Sequence, residues 1–166
     1  MLPTHLAKFR SLVLVLIAML FSGGISVEVL AKDQTPKQFL QAIYAPYSAN
    51  GYGLRWRGPK TGQYFDESLT KLILRDMKES EGEIGRIAVD PFVFAQDFGI
   101  SSLKIEILSQ DMQRAKAVAS FTNLSKPTRV LYDLVSTAQG WRIANIIWPE
   151  EGTDMRAILS GPMPGQ

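Results

Sequence analysis

At 166 residues the chain has about the length of one domain, and its 18 basic and 16 acidic side chains nearly cancel. That balance excludes the strongly basic footprint of a nucleic-acid binder. There is no cysteine, and the single histidine is His5, so disulfides, thiol nucleophiles and an acylated lipoprotein cysteine are excluded as well.

The N-terminus has the three-part layout of a secretory signal. His5, Lys8 and Arg10 supply positive charge, Leu12–Phe21 is apolar, and Val29-Leu30-Ala31 presents side chains that a signal peptidase reads. An apolar core of roughly 10–15 residues is short for a membrane-spanning helix, which needs about 20. Cleavage is therefore expected between Ala31 and Lys32, releasing a soluble product into the periplasm or the medium. Residues 1–31 contain two of the 18 basic and one of the 16 acidic side chains, leaving 16 and 15, a net charge of +1. The mature chain then has neither imidazole nor thiol. Serine–histidine and cysteine–histidine systems are excluded, as are metal sites built on nitrogen or sulfur ligands. No metal and no cofactor are expected, and any catalysis must run on carboxylates, lysine or tyrosine.

Thr35-Pro36-Lys37-Gln38 reads as a helix start, with Thr35 as cap, Pro36 at the first helical position and Gln38 returning the bond. Phe39, Leu40, Ile43, Tyr44 and Tyr47 recur on one face, and Pro46 is expected to end or kink the helix. Tyr52–Gly62, with its glycines and proline, reads as a loop of unusual aromatic and basic content. Asp66 is placed to cap a second helix through about Ser80, with Leu69, Leu72, Ile73 and Met77 buried and Glu67 and Lys71 paired in solvent. After a low-pattern segment the period changes to two. Strands around Leu103–Ile107, Ala115–Thr122, Val130–Leu134 and Trp141–Ile147 follow, with links short enough for each to pair antiparallel with the next. A closing helix is expected over about Thr153–Ser160, before a loose tail at 161–166. The pattern predicts one α+β domain over 32–160, its N-terminal helices packed across the apolar face of a curved antiparallel sheet.

Several segments in this order carry a family resemblance: Phe39–Tyr47, Tyr64–Leu69, Asp90-Pro91-Phe92 with Ala95-Gln96-Asp97, Tyr132–Val135, and Gly140–Ile146. Together they resemble a bacterial exported family, domain of unknown function 3828, within the nuclear-transport-factor-2-like group. The resemblance spans about Phe39 to Leu159 and implies a cone-shaped, cystatin-like helix-and-sheet fold. Where the family pattern calls for an aspartate, this chain has Asn145. Such folds host isomerases, dehydratases and pure binding domains, so the fold alone assigns no activity.

Three sets of residues are candidates for function. Asp90 and Asp97 could share a pocket with their acidities pushed apart, with a pocket tyrosine such as Tyr44 as acid. The simpler account has Asp90 shaping a turn before Pro91 and Asp97 one before Gly99. In the loop, Tyr52, Arg55, Trp56, Arg57 and Lys60 could hold an anionic ligand, a glycan or a partner protein, since arginine offers a planar fork and tryptophan a stacking face. Alternatively Trp56 plugs the core and the arginines are solvated. Tyr44, Tyr47, Tyr64, Tyr132, Trp141 and Trp148 could line a cavity, but most fall on core stripes. These observations favour an exported, non-catalytic binding domain acting on an envelope protein or small ligand, one form being an inhibitor or immunity protein. Dimerisation through the sheet is an option. The alternative is a cofactor-free isomerase, dehydratase or hydrolase using Asp90 or Asp97.

Overall fold

The computed structural model describes residues 34–49 and 51–163; the expected signal segment, its cleavage site and residues 164–166 lie outside them. Helix α1 (Pro36–Ala49) begins with the anticipated capping box: Gln38 N donates to Thr35 Oγ1 at 3.2 Å and Thr35 N to Gln38 Oε1 at 2.9 Å. Pro46 does not end the helix, which continues a turn beyond it. The missing N–H is outweighed by packing, because Tyr47 on that last turn is 4% exposed and belongs to the core.

The glycine-rich loop contains one short helix, α2 (Thr61–Tyr64), held by Thr61 Oγ1 donating to the carbonyls of Trp56 and Gly58. Helix α3 (Glu67–Glu79) starts as expected from Asp66, whose carboxylate accepts from Leu69 N at 2.7 Å. The solvent-side Glu67–Lys71 pair is formed at 2.6 Å. Residues 81–99 form turns and irregular backbone.

Strands β1 (Ile100–Gln110), β2 (Arg114–Asn123), β3 (Lys126–Thr137) and β4 (Gly140–Trp148) form an antiparallel meander, and β5 (Thr153–Asp154) adds a short fifth member beside β4. Between β4 and β5 runs a 3₁₀ turn, Pro149–Glu151, that the sequence pattern does not announce; helix α4 (Met155–Ser160) is shorter than anticipated. On β2 the inward residues Ala115, Ala117 and Ala119 are small and buried, leaving room for the aromatic face of α1. The helices lie on the apolar face of an open, curved sheet, the α+β cone arrangement that the resemblance implies. Among the described residues no helix is long and apolar enough to cross a membrane.

A bulge at Ala144-Asn145 ties the two halves together. The pairs Asp133↔Asn145 and Leu134↔Ile143 leave Ala144 unmatched, so the strand bends there. Phe65 bridges to Ile143, and Asp66 N donates to Ile143 O. Arg156 at the start of α4 then donates to Ala144 O and, from Nη2, to Asp66 at 3.0 and 3.1 Å. Asn145 Oδ1 accepts from Ile146 N and Arg156 N. The amide oxygen of Asn145 thus accepts two backbone donors where the strand bends.

Asp66 therefore serves both as helix cap and as partner to Arg156, whereas Thr35 caps an exposed helix end. Replacing a cap costs about 1 kcal/mol, and losing a charged hydrogen bond adds about 1.5–3 kcal/mol. Urea denaturation should show Asp66→Ala destabilising the protein clearly more than Thr35→Ala; equal losses would disprove the coupling through Arg156.

Candidate functional site

An open groove of about 570 Å³ lies between the loop before α2 and the segment after α3. One wall is Leu54, Arg55, Trp56 and Arg57; the other runs from Gly82 to Asp90. A single buried carboxylate positions both walls. Asp76, on the inner side of α3, is 1% exposed. Its Oδ1 accepts from Arg86 N at 2.9 Å and Arg86 Nη1 at 3.2 Å, and its Oδ2 lies 3.8 Å from Arg57 Nη2. Gly85 is required at this contact, since a Cβ there would lie 2.4 Å from Asp76 Oδ2. Arg86 also bonds Glu79 and Gly161 O, so the segment is held along its length.

Trp56 is 7% exposed and packs edge-on against Phe65, so its ring is a core group with a residual face at the groove floor. Arg57 is neither solvated nor free to hold a ligand beside Arg55. It folds back over the Trp56 ring, 4.4 Å from the centroid, and donates to Ile87 O across the groove. Burial lowers the pKa of its guanidinium, opposed by the Asp76 charge. Arg55 remains exposed and lines the groove. Tyr52 and Lys60 are exposed on the same loop but lie outside the lining; Lys60 precedes α2.

The opposite wall was not anticipated. Glu83 and Ile84 are exposed there, Ile84 by 70%, beside the more buried Ile87 and Val89. An isoleucine standing beside the acidic cluster Glu79–Glu83 was the available signal.

The carboxylate alternative meets a different geometry. Asp90 lies at one end of the groove, where Oδ1 accepts from Phe92 N at 2.9 Å and Oδ2 from the Tyr47 hydroxyl at 2.7 Å. It is the turn former the simpler account described, with its second oxygen capped by a phenol. Gly53, at φ +65°, closes over this pair, its Cβ direction 3.3 Å from Asp90 Oδ2 and 3.1 Å from the Tyr47 ring. Burial raises the pKa of Asp90, and the Tyr47 and backbone hydrogen bonds oppose that rise. Burial and the Asp90 charge push the pKa of the Tyr47 hydroxyl far up. Asp97, by contrast, is exposed. Tyr44 is fully buried, its hydroxyl 2.7 Å from that of Tyr132 and donating to Phe92 O at 2.8 Å, with its ionisation pushed far up by burial. The structure therefore does not assemble Asp90, Asp97 and Tyr44 into one accessible site. Tyr132, Trp141 and Trp148 are core residues too, Trp148 Nε1 donating to Pro91 O. Among the described residues no three His, Cys, Asp or Glu side chains are grouped to hold a metal.

No protein-family model matches the sequence, and no curated protein matches it. Two solved structures are similar in fold. One is a chain of the type VI native effector–immunity complex Tae3–Tai3 from Ralstonia pickettii, at 17% identity and a TM-score of 0.46, covering 66% of this chain and 89% of that one. The other is a phospholipid-binding protein from Ralstonia solanacearum, solved with a phospholipid, at 14% identity and a TM-score of 0.36, covering 61% and 53%.

The raised pKa of Asp90 fixes the sign of one pH effect. Below the ordinary carboxylate range the group is neutral whether the chain is folded or not. As pH rises the unfolded chain ionises first, so Asp90's contribution to stability falls until the folded group has ionised too, then levels off. Asp90→Asn keeps the acceptor for Phe92 N but cannot ionise. Urea midpoints measured from acid to neutral pH should show wild type losing ground to Asp90→Asn as pH rises; a constant difference would refute the assignment.

Proposed function

We propose that this protein is an exported, non-catalytic binding domain that recognises an envelope protein or small ligand through the groove between residues 54–57 and 82–90. One observation carries this reading. Asp90 in the groove and Asp76 behind it have partners within the fold, as does Arg57 through Nη2, its Nε being buried without one, while Arg55, Glu83 and Ile84 at the rim are exposed. Groups tied up in structure do not turn over a substrate, whereas a preformed recess with a mixed rim offers apolar contact and directional charge. Export rests on the signal pattern of residues 1–31. Affiliation with the domain of unknown function 3828 family rests on the ordered segments between Phe39 and Leu159. An inhibitor or immunity protein against an envelope-directed toxin is the form that size and export favour.

The test is affinity purification of the tagged mature protein from envelope extract, run beside Arg55→Glu and Ile84→Asp variants. Both side chains are exposed, so melting temperatures should move little. A species retained stoichiometrically by wild type and depleted at least about tenfold by each variant supports the groove, the loss expected when a rim charge is reversed or an apolar contact removed. Equal retention by all three proteins removes it. Trp56→Ala is unsuitable, because emptying that core position should cost about 3–5 kcal/mol.

Export has its own check. Intact-mass measurement of the protein recovered from the periplasm should give a chain beginning at Lys32; retention of residues 1–31 would overturn the cleavage assignment.

A further inference from the structure

β1 is the outer strand of the sheet, paired with β2 on one side, and among the described residues no strand lies on its other side. It is eleven residues long. Such an edge carries a row of backbone N–H and C=O groups available to another strand. Its side chains divide cleanly. Leu103, Ile105 and Ile107 face the core, Leu103 and Ile107 only partly covered; Lys104 and Glu106 are exposed on the outer face, ion-paired at 2.9 Å.

We propose that the free edge of β1 pairs antiparallel with β1 of a second copy, about a twofold axis through Ile105. The sequence is self-complementary in this register and not in its neighbours. Residues directly opposite in an antiparallel pair point to the same face, so a twofold axis perpendicular to the sheet allows only shifts of two residues. With Ile105 opposite itself, Lys104 faces Glu106 of the second copy and Glu106 faces its Lys104. Moving the axis to Lys104 puts lysine against lysine. Moving it to Glu106 puts glutamate against glutamate. Opposed like charges destabilise a strand pair and opposite charges stabilise it, so charge favours the Ile105 axis over both of its neighbours.

The edge is built to make one such contact and stop. Register irregularities between Ser101 and Lys104 and between Ile107 and Ser109, with Ser102 at φ +55°, limit the regular stretch to Lys104–Ile107. At the far side of the sheet β5 has only two residues. An isologous contact through β1 uses that edge once and closes, giving a dimer rather than a filament. It is separate from the groove, which draws no residue from β1, so either can fail without the other.

The test is analytical ultracentrifugation of the mature chain over a concentration series, with Lys104→Glu, Glu106→Lys and the double exchange. Both side chains are exposed, and unchanged thermal melts confirm that the variants fold. The wild type should dimerise. Each single variant places like charges opposite one another twice and should weaken the dimer by about tenfold or more. The double exchange should restore it. An equimolar mixture of the two single variants should form a heterodimer, since one chain then carries two acidic side chains at these positions and the other two basic ones. A wild type that stays monomeric, a dimer indifferent to either single variant, or single variants rescued neither by the double exchange nor by mixing would each overturn the proposal.

Discussion

A buried carboxylate in the middle of a helix has to be matched, and much of the irregular half of this protein is arranged around matching Asp76. Moving an unpaired carboxylate from water into a protein interior costs several kcal/mol, and only close, well-directed donors offset it. Those donors come from outside α3. Arg86 supplies both its amide and its guanidinium, Arg57 approaches from the other side, and Gly85 has no side chain so that the backbone can come near. The segment after α3 is therefore not free to drift. Its position fixes Ile87, whose carbonyl receives Arg57, and with it the width of the groove. An apolar residue in place of Asp76 would fill similar space but leave the Arg86 amide unmatched, and the two walls would lose the anchor they share.

The second end of the groove is ordered by phenols. Tyr44 and Tyr47 lie one turn apart on α1, and both hydroxyls reach the turn at Asp90–Phe92. Tyr47 takes a carboxylate oxygen and Tyr44 the Phe92 carbonyl, while Tyr132 approaches Tyr44 from the sheet. α1 thus stabilises the 90–92 turn as well as packing on β1 and β2. This explains why the helix persists past Pro46. Ending it there would withdraw Tyr47 from Asp90 and leave that half-buried carboxylate with the backbone bonds of its turn alone. Burial holds all three phenols far from ionisation, and each hydroxyl is bonded within the fold.

Local rules explain which parts of this were legible in the sequence. The Thr35–Gln38 box, the Asp66 cap and the Glu67–Lys71 pair involve residues three or four apart, where a motif nearly determines the contact. The four-strand meander was legible because alternation and short links leave few pairings. The misses share another origin. Asp76 follows Ile73 by three on the buried stripe of α3, yet a carboxylate there reads as polar until Arg86 and Arg57 are known to converge on it. Arg57 read as a ligand-binding group beside Arg55, because nothing local shows that Trp56 is a core residue with the guanidinium laid over it. Asp90 could be assigned to a turn from the following proline, but its phenol partner lies 43 positions earlier. The far wall of the groove was missed for the same reason: residues 82–90 have no periodicity, and only the tertiary fold sets them opposite the loop.

Where polar groups are committed in this way, the positions left free to vary lie elsewhere. In the groove the deep positions hold the scaffold and the rim is left to vary, since changing Arg55, Glu83 or Ile84 disturbs no buried bond, whereas changing Asp76, Gly85 or Arg57 disturbs several. The sheet repeats the division. The inner residues of β1 are bound to the core, and its outer Lys104 and Glu106 are exposed and paired only with each other. A fold divided this way can keep its core arrangement while the residues of its rim change.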